Sequence, residues 1–431
     1  MQLDLLIKGV NLPDGRTNVD IGIQDGCIVE VGSHIKAASK KEIDAKGYLA
    51  TPPFVDSHFH MDATLSLGLP RLNQSGTLLE GIQLWGELKP HLTVEAIKER
   101  AYELCHWAIG KGTLIIRSHV DICDDRLLAV EALLEVREEI KPYIDLQLVA
   151  FPQDGYFRST NARENMNRAL DLGVDVIGGI PHFERTMSHG TETIKVLCEL
   201  AAERDLLVDM HCDESDDPWS RHVESLAFET ERLGLHGRVS GSHLTSMHSM
   251  DNYYVSKLLA LMAEAELHAI ANPLINITLQ GRHDTYPKRR GMTRVKELME
   301  AGINVALGHD CVMDPWYSLG SHDMLEVAHM GLHIAQMTGV EEMRQMFNAV
   351  TINGANALRV KGYGIEPGCH ADIVILQAYD PLEALRLKPS RLYVIRRGKV
   401  IARSQPTVSN LQLGNRQITV DFTRSADRQR S

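Results

Sequence analysis

Short apolar runs alternate with longer amphipathic segments from about residue 49 to residue 360. This alternation is typical of β-α units, in which a buried parallel strand is followed by a helix. Thr93 can cap one of the helices, which are indicated for example at residues 93–109, 127–140, 192–204 and 220–233. Eight strands are predicted, at residues 51–56, 113–119, 145–151, 174–180, 206–211, 239–243, 267–271 and 303–308. Eight such units in about 300 residues favour a (β/α)8 TIM-like barrel over an open sheet.

At both ends of the chain, apolar and polar residues alternate with the two-residue period of β-strands. Residues 3–10, 19–24 and 27–31 alternate between apolar and polar, with turn signals at Pro13-Asp14-Gly15 and Asp25-Gly26 between them. The β pattern returns at residues 373–376, 392–396 and 399–402, and the tail beyond Gln405 is less regular. We therefore expect an α/β fold. Its barrel would span residues 49–360, and residues 1–48 and 361–431 would together form a small β-sandwich.

Composition and charge exclude several classes of protein. A hydrophobic content of 44% and a charged content of 24% are ordinary for a globular protein. The net charge of -12 provides no basic excess for a general nucleic-acid binder, and we interpret Lys288-Arg289-Arg290 as a solvated loop. No apolar run approaches the ~18 residues of a membrane span. The seven cysteines are scattered and lack a C-x-x-C pair, and no secretory signal is evident, so a reduced cytoplasm is expected.

The segment T-P-P-F-V-D-S-H-F-H-M-D, residues 51–62, carries the first candidate chemistry. Residues two apart in a strand point to the same face, so His58 and His60 can converge on one metal ion. Neutral imidazole suits zinc, iron, nickel and copper. An H-x-H pair alone is weak evidence, because two polar loop residues would give the same pattern.

Other polar residues at the predicted strand ends strengthen the metal interpretation. Barrel enzymes place their chemistry at the C-terminal ends of the strands. Besides the H-x-H pair, these positions hold His119, Gln153, His182, His211 with Glu214, His243, Asn272 and Asp310. A buried histidine needs polar partners, and a metal ion supplies one. The sequence therefore predicts a metal site at this end of the barrel.

Seven segments carry a resemblance to a known family. They read T-P-P-F-V-D-S-H-F-H-M-D, L-N-Q-S-G-T-L-L-E-G-I, V-A-F-P-Q-D-G, D-M-H-C-D-E, G-S-H-L-T-S-M-H-S, A-N-P-L-I-N-I-T-L-Q-G-R-H-D-T-Y-P-K-R-R-G and G-H-D-C-V-M-D-P-W-Y. Over roughly residues 1–405 the chain resembles the amidohydrolase superfamily and, more closely, its bacterial cytosine deaminases. The combined order His-x-His, His-x-x-Glu, His and Asp is specific to this superfamily.

The resemblance implies a metal-dependent deaminase of a small nucleobase, with homo-oligomers common among relatives. It implies one divalent metal ion, zinc or iron(II), held by His58, His60, His211 and Asp310. It assigns catalytic roles to three residues: His243 would help deprotonate the attacking water, Asp310 would accept its hydrogen bond, and Glu214 would pass a proton to ring nitrogen N3. It assigns substrate contacts to the Gln153 amide, the backbone near Leu78, and the walls formed by Phe151 and Trp316.

The implied chemistry is coherent by itself. A metal ion lowers the pKa of a bound water from ~15.7 to ~7, which supplies hydroxide at neutral pH. Attack on an amine-bearing ring carbon also needs a protonated ring nitrogen, and a nearby carboxyl can provide that proton. No lysine stands at the end of the fourth strand, G-G-I-P-H-F-E, which favours one metal over a binuclear centre. The His182-Phe183-Glu184 motif lacks the P-C-x-x-C half of the nucleotide-type zinc deaminases, so that fold is excluded.

Several assignments have a structural alternative. His119 and His182 are interpreted as orienting or structural residues, because four metal ligands come from elsewhere. Gln153 could serve a loop hydrogen bond, Trp316 could belong to the core, and Cys212 is interpreted as structural. A catalytically inactive barrel used as a scaffold is disfavoured, because all of the implied metal ligands are present.

Cys311 departs from the family pattern, in which a second aspartate usually follows the metal-binding one near C5 of the pyrimidine. A methyl group pressed against a carboxylate would desolvate it at a cost of about 1–3 kcal/mol. Cysteine behaves as a small hydrophobe and could accept a 5-methyl group. We therefore expect 5-methylcytosine to be a substrate beside cytosine. The alternative for Cys311 is neutral drift, with cytosine still the preferred substrate. The alternative for the function is deamination of isocytosine, isoguanine or another aminated heterocycle.

Overall fold

The computed structural model describes residues 2–424. Strands in this range are β1 (Leu5–Val10), β2 (Val19–Gln24), β3 (Cys27–Gly32), β4 (Glu42–Asp44), β5 (Leu49–Thr51), β6 (Phe54–Phe59), β7 (Thr113–Asp121), β8 (Asp145–Phe151), β9 (Val176–Gly179), β10 (Leu207–Cys212), β11 (Val239–His243), β12 (His268–Ala271), β13 (Val305–Leu307), β14 (Ile373–Leu376), β15 (Arg391–Arg396), β16 (Lys399–Arg403), β17 (Ser409–Leu413) and β18 (Arg416–Val420).

The α-helices in the same range are α1 (Leu78–Leu88), α2 (Val94–Lys111), α3 (Leu128–Ile140), α4 (Ala162–Asp171), α5 (Met187–Arg204), α6 (His222–Arg232), α7 (Asn252–Glu264), α8 (Pro273–Leu279), α9 (Val295–Glu300), α10 (Met324–Ile334), α11 (Val340–Ala349), α12 (Ile352–Ala357) and α13 (Pro381–Leu387). The predicted cap of α2 is present, since the Thr93 hydroxyl accepts a hydrogen bond from the Ala96 amide. No helix within residues 2–424 is long and apolar enough to cross a membrane.

A parallel barrel of eight strands, β6 to β13 in sequence order, forms the centre of the fold. A bridge between Phe59 and Asp310 joins the first strand to the segment after the last, and closes the barrel. Every residue of β6 and β7 is buried, as expected for strands whose two faces are both covered. The predicted (β/α)8 barrel is therefore confirmed.

The first barrel strand begins at Phe54, three residues later than predicted. Pro52 and Pro53 precede it, and proline has no amide hydrogen to donate to a sheet. Thr51 belongs to β5, which pairs with β14 instead of with the barrel. Helix α6 likewise begins at His222, later than the expected residue 220, because the Ser220 hydroxyl donates to Asp213 in the preceding loop.

Both chain ends contribute to the small β-sandwich. One sheet has the strand order β3-β2-β1-β4, and the other has the order β16-β15-β14-β5. Their shared apolar core joins Ile7 and Ile21 from the first end with Ile373 and Ile395 from the second. This sandwich confirms the expected architecture. The division at residues 48 and 360 stays a prediction, and β5 lies with the sandwich although the division assigns it to the barrel.

The tail beyond Gln405 is more regular than the sequence indicated. Strands β17 and β18 pair as an antiparallel hairpin, with Ser409 opposite Val420. Most of the hairpin's side chains are exposed. Met1 and residues 425–431, which the expected sandwich segments include, lie outside the described residues.

Candidate active site

Four predicted ligands meet at the C-terminal end of the barrel strands. His58 lies in β6 and His60 directly follows it, His211 lies in β10, and Asp310 lies just beyond β13. His60 Nε2 and His211 Nε2 are 3.0 Å apart. Asp310 Oδ1 lies 3.6 Å from His58 Nε2 and 3.5 Å from His60 Nε2.

These distances suit a metal ion. Nitrogen ligands bound at about 2.05 Å to a tetrahedral ion lie about 3.3 Å apart, close to the separations observed here. His58 Nε2 is buried and has no hydrogen-bond partner within residues 2–424, as expected for a lone pair reserved for a metal. Burial also lowers the pKa of His60 to about 4, which keeps the ring in its neutral, metal-binding form.

Histidine clusters that can hold a metal ion extend beyond the four predicted ligands. The close groups within residues 2–424 are His58 with His60 and His119, and His58 with His211 and His243. The His119 ring centroid is 4.1 Å from that of His58, and neither of its ring nitrogens has a hydrogen-bond partner within the described chain. His119 is therefore the competing ligand that an experiment must distinguish from His211.

Three residues at or beside the site have an unusual backbone conformation. Asp213, His243 and Asp310 all have positive φ angles, of 51°, 73° and 70°. Non-glycine residues rarely adopt this left-handed region, and strain of this kind concentrates at functional sites. The Asp310 backbone is held in place by hydrogen bonds with the His58 carbonyl and the His60 amide. Asp213 turns the chain between β10 and Glu214.

Glu214 and His243 face each other across the site. His243 Nδ1 lies 3.4 Å from Glu214 Oε1 and 3.7 Å from Asp310 Oδ2. The Asn276 side-chain amide is 2.9 Å from the same ring nitrogen, and that of Asn272 is 3.3 Å away. Burial raises the pKa of Glu214 to about 8, so that this carboxyl can carry a proton near neutral pH.

These groups line one cavity at the C-terminal end of the barrel strands. The predicted site residues that line it are Leu78, Gln153, Trp316 and Cys311, together with His60, His211, Glu214, His243 and Asp310. Sequence reasoning did not assign pocket roles to the lining residues Ile82, Ile180, Phe183, Ile275 and Leu279. They are mostly aliphatic, and nothing in their spacing distinguishes them from core residues.

Phe151 was expected to wall the cavity, but it is not among the lining residues. Its ring is fully buried and stacks on the His211 ring, with the centroids 4.0 Å apart and the planes 15° from parallel. Phe151 is thus placed to support His211 from behind. His182 does line the cavity, and its Nδ1 is 3.2 Å from the His211 carbonyl oxygen.

The chain is similar to known proteins over most of its length. The amidohydrolase family matches residues 41–408. The chain is similar to 5-methylcytosine deaminase from Klebsiella pneumoniae, liganded with 5-fluorocytosine, at 42% identity over 95% of this chain and 99% of that one, with a TM-score of 0.91. It is 30% identical to N-isopropylammelide isopropyl amidohydrolase of Pseudomonas sp. (strain ADP), over 94% of this chain and 99% of that protein. It is 28% identical to pterin deaminase of Rhizobium rhizogenes, over 92% of this chain and 91% of that protein.

The family match covers all eight barrel strands and every predicted metal ligand, and it confirms the resemblance seen in the sequence. Similarity to the Pseudomonas amidohydrolase extends over nearly the whole of both chains. The chain is therefore a hydrolase and belongs to the amidohydrolase family.

Proposed function

We propose that this protein is a metal-dependent hydrolytic deaminase of a free aminopyrimidine base. It would convert cytosine to uracil and 5-methylcytosine to thymine, releasing ammonia in each case. The observation that carries the proposal is one cavity lined by His60, His211 and Asp310 together with Glu214 and His243. Similarity to a 5-methylcytosine deaminase supports the choice of substrate.

His58, His60, His211 and Asp310 would hold one divalent ion, zinc or iron(II), since both accept imidazole and carboxylate ligands. Such an ion would supply Lewis acidity and a low pKa for bound water. The pairing of three histidines with one carboxylate fits either metal, so loading depends on availability. A cytoplasmic location, a homo-oligomeric state and the lack of a nucleic-acid partner stay predictions.

Proton transfer would be divided between two residues. Glu214, with its pKa raised to about 8, holds a proton that it can deliver to ring nitrogen N3. His243, beside Asp310 Oδ2, is placed to accept a proton from the attacking water. The water oxygen would then add to C4, and the proton held by His243 would pass to the exocyclic nitrogen. The bond from C4 to this nitrogen would break to release ammonia, and the proton of the new C4 hydroxyl would pass to Glu214.

Three groups would orient the base. The Gln153 side-chain amide would donate to the C2 carbonyl, and the backbone near Leu78 would accept from N1. Trp316 would cover one side of the ring. All three residues line the same cavity as Glu214, which supports the assignment.

The direct test is to compare kcat/KM for ammonia release from cytosine and from 5-methylcytosine, using protein of verified metal content. We expect 5-methylcytosine to react at least as well as cytosine. A preference for cytosine above ~100-fold, about 2.7 kcal/mol, would contradict the methyl part of the proposal. Inactivity toward both bases would contradict the proposal as a whole.

Activity on another aminated heterocycle is the second candidate function. Similarity to N-isopropylammelide amidohydrolase and to pterin deaminase favours it, because both names denote other heterocyclic substrates. Isocytosine, isoguanine, ammelide and pterin should be measured beside the two pyrimidines. The candidate with the highest kcat/KM identifies the substrate class.

Replacement of Cys311 tests the methyl preference. Its thiol lines the cavity, with Sγ 3.6 Å from Asp310 Oδ1. We expect Cys311→Asp to lower kcat/KM for 5-methylcytosine about 10- to 100-fold more than for cytosine, because the methyl group would desolvate the new carboxylate at about 1–3 kcal/mol. Cys311→Asn has the same shape without the charge and should discriminate less. Equal losses on both substrates would contradict the assignment.

The close packing of Gly81 against Trp316 tests the wall of the cavity. A Cβ at Gly81 of α1 would lie only 2.4 Å from Trp316 Cδ1, so Gly81→Ala must displace the indole. We expect KM to rise about 10-fold, because a change of one methylene in a pocket is worth about 1–3 kcal/mol of binding. Gly86→Ala lies on the same helix with nothing within 4 Å of its new methyl group and should leave KM unchanged. An unchanged KM in both variants would assign Trp316 to the core.

A further inference from the structure

A fully buried ion pair lies inside the barrel beneath the site. Arg117 of β7 and Asp209 of β10 are both completely inaccessible to solvent, and Arg117 Nη1 donates to Asp209 Oδ2 at 2.9 Å. Barrel interiors are usually filled by bulky branched apolar side chains. Buried ion pairs can often be replaced by apolar residues without loss of stability, so folding alone does not explain this pair.

Further hydrogen bonds link the ion pair to a predicted metal ligand, His58. Ser242 of β11 donates its hydroxyl hydrogen to Asp209 Oδ1 at 2.6 Å. The same hydroxyl oxygen lies 2.9 Å from His58 Nδ1. A continuous chain of contacts therefore runs from Arg117 through Asp209 and Ser242 to the His58 ring, whose other nitrogen, Nε2, faces Asp310.

The chemistry of each group determines the direction of every hydrogen bond in this chain. The Arg117 guanidinium is only a donor, and it stabilises Asp209 as an acceptor. Ser242 must then donate to Asp209, which leaves its oxygen lone pairs to accept from His58. His58 must therefore carry its hydrogen on Nδ1, and the lone pair on Nε2 is left free.

Arg117 makes further hydrogen bonds that fix the position of its guanidinium group inside the barrel. Its Nε donates to Gln147 Oε1 at 2.7 Å, and its Nη2 donates to the Ala357 carbonyl at 3.1 Å. Nη1 also reaches the Ser240 hydroxyl at 3.3 Å. His58 Nδ1 is held by Ser242, whereas the corresponding ring nitrogen of His211, Nδ1, has no hydrogen-bond partner within residues 2–424. His58 is thus anchored through side chains from several strands.

We propose that Arg117, Asp209 and Ser242 are positioning residues that hold His58 in the tautomer and orientation that bind the metal ion through Nε2. The inference rests on the proposed function, since it takes His58 as a metal ligand. Partners of this kind orient the ligand, and their loss typically lowers metal affinity 10- to 100-fold. The buried ion pair of Arg117 and Asp209 would then support metal binding by His58.

Ser242→Ala tests the proposal, with Ser240→Ala as the matched control. Ser240 lies two residues earlier on the same strand and is also buried, but its hydroxyl meets Arg117 at 3.3 Å and not Asp209 or His58. Zinc affinity is measured by chelator competition, and thermal unfolding is measured on the metal-free proteins. We expect Ser242→Ala to bind zinc about 10- to 100-fold more weakly than Ser240→Ala, while the two metal-free proteins unfold at similar temperatures.

A double variant, Arg117→Met with Asp209→Leu, gives an independent readout. Without Asp209, the Ser242 hydroxyl is free to donate to His58 Nδ1, which favours the wrong tautomer. We expect weaker zinc binding by a similar factor, although the metal-free protein keeps its stability. Unchanged zinc affinity in both Ser242→Ala and the double variant would overturn the inference. Absence of zinc binding by the unaltered protein would instead contradict the proposed metal site.

Discussion

Glu214→Gln should lower kcat for cytosine and 5-methylcytosine by about 10²- to 10⁴-fold, the usual contribution of a general acid or base. Glutamine has the same shape as glutamate, but it cannot take up and release a proton. Glu214 is buried at the cavity wall, with Oε1 3.4 Å from His243 Nδ1. The metal content of the variant should be unchanged, because Glu214 is not among the four proposed ligands.

Glu184→Gln is the control for this prediction. Glu184 is also buried, but its Oε1 accepts hydrogen bonds from the Phe157 amide and the Thr193 hydroxyl, away from the cavity. We expect it to keep nearly full kcat. A Glu214→Gln variant that retains more than a tenth of kcat would contradict proton transfer by Glu214. A loss of activity proportional to a loss of metal would instead assign Glu214 to metal binding.

The barrel and the ligand set could be predicted from the sequence because both depend on local spacing. Parallel buried strands have a characteristic apolar pattern, and their C-terminal ends gather at one end of a barrel. The H-x-H pair and the Glu three residues after His211 could therefore be assigned to one site before their contacts were known. The errors at Thr51 and Ser220 arose where a proline pair and a loop hydrogen bond overrode the local pattern.

The supporting contacts could not be predicted, because they join residues far apart in the sequence. Ser242 contacts His58 across 184 positions, and Arg117 contacts Asp209 across 92. Ser242 follows a glycine in an ordinary strand, and only three-dimensional packing shows what its hydroxyl contacts. Phe151 illustrates the same limit, since alternation along β8 did not show whether its ring faces the cavity or the back of His211.

The left-handed backbone at His243 and Asp310 was also beyond sequence reasoning. Aspartate and histidine are enriched among the non-glycine residues with positive φ, but the residue type alone does not show which individual residue adopts this conformation. The cost of such a conformation, of order 1–3 kcal/mol per residue, is offset by the surrounding structure. At Asp310, the hydrogen bonds with His58 and His60 provide part of that compensation.

His211→Asn should weaken metal binding and His119→Asn should not, and this pair of variants separates the two histidine groups that could hold the ion. We expect His211→Asn to lose zinc affinity by more than the 10- to 100-fold typical of a supporting partner, because it removes a ligand nitrogen 3.0 Å from His60 Nε2. Its kcat should fall by more than about 10³-fold, as both metal and proton chemistry are impaired.

His119→Asn should retain a full complement of zinc. The four proposed ligands, His58, His60, His211 and Asp310, are all unaltered in this variant. Zinc content and zinc affinity are measured for both variants, beside the thermal unfolding of the metal-free proteins. If His119→Asn loses zinc and His211→Asn retains it, the metal site must lie nearer to β7, which carries His119. Since Glu214 lies three residues after His211, that result would also separate the ion from the proposed proton donor and contradict the mechanism.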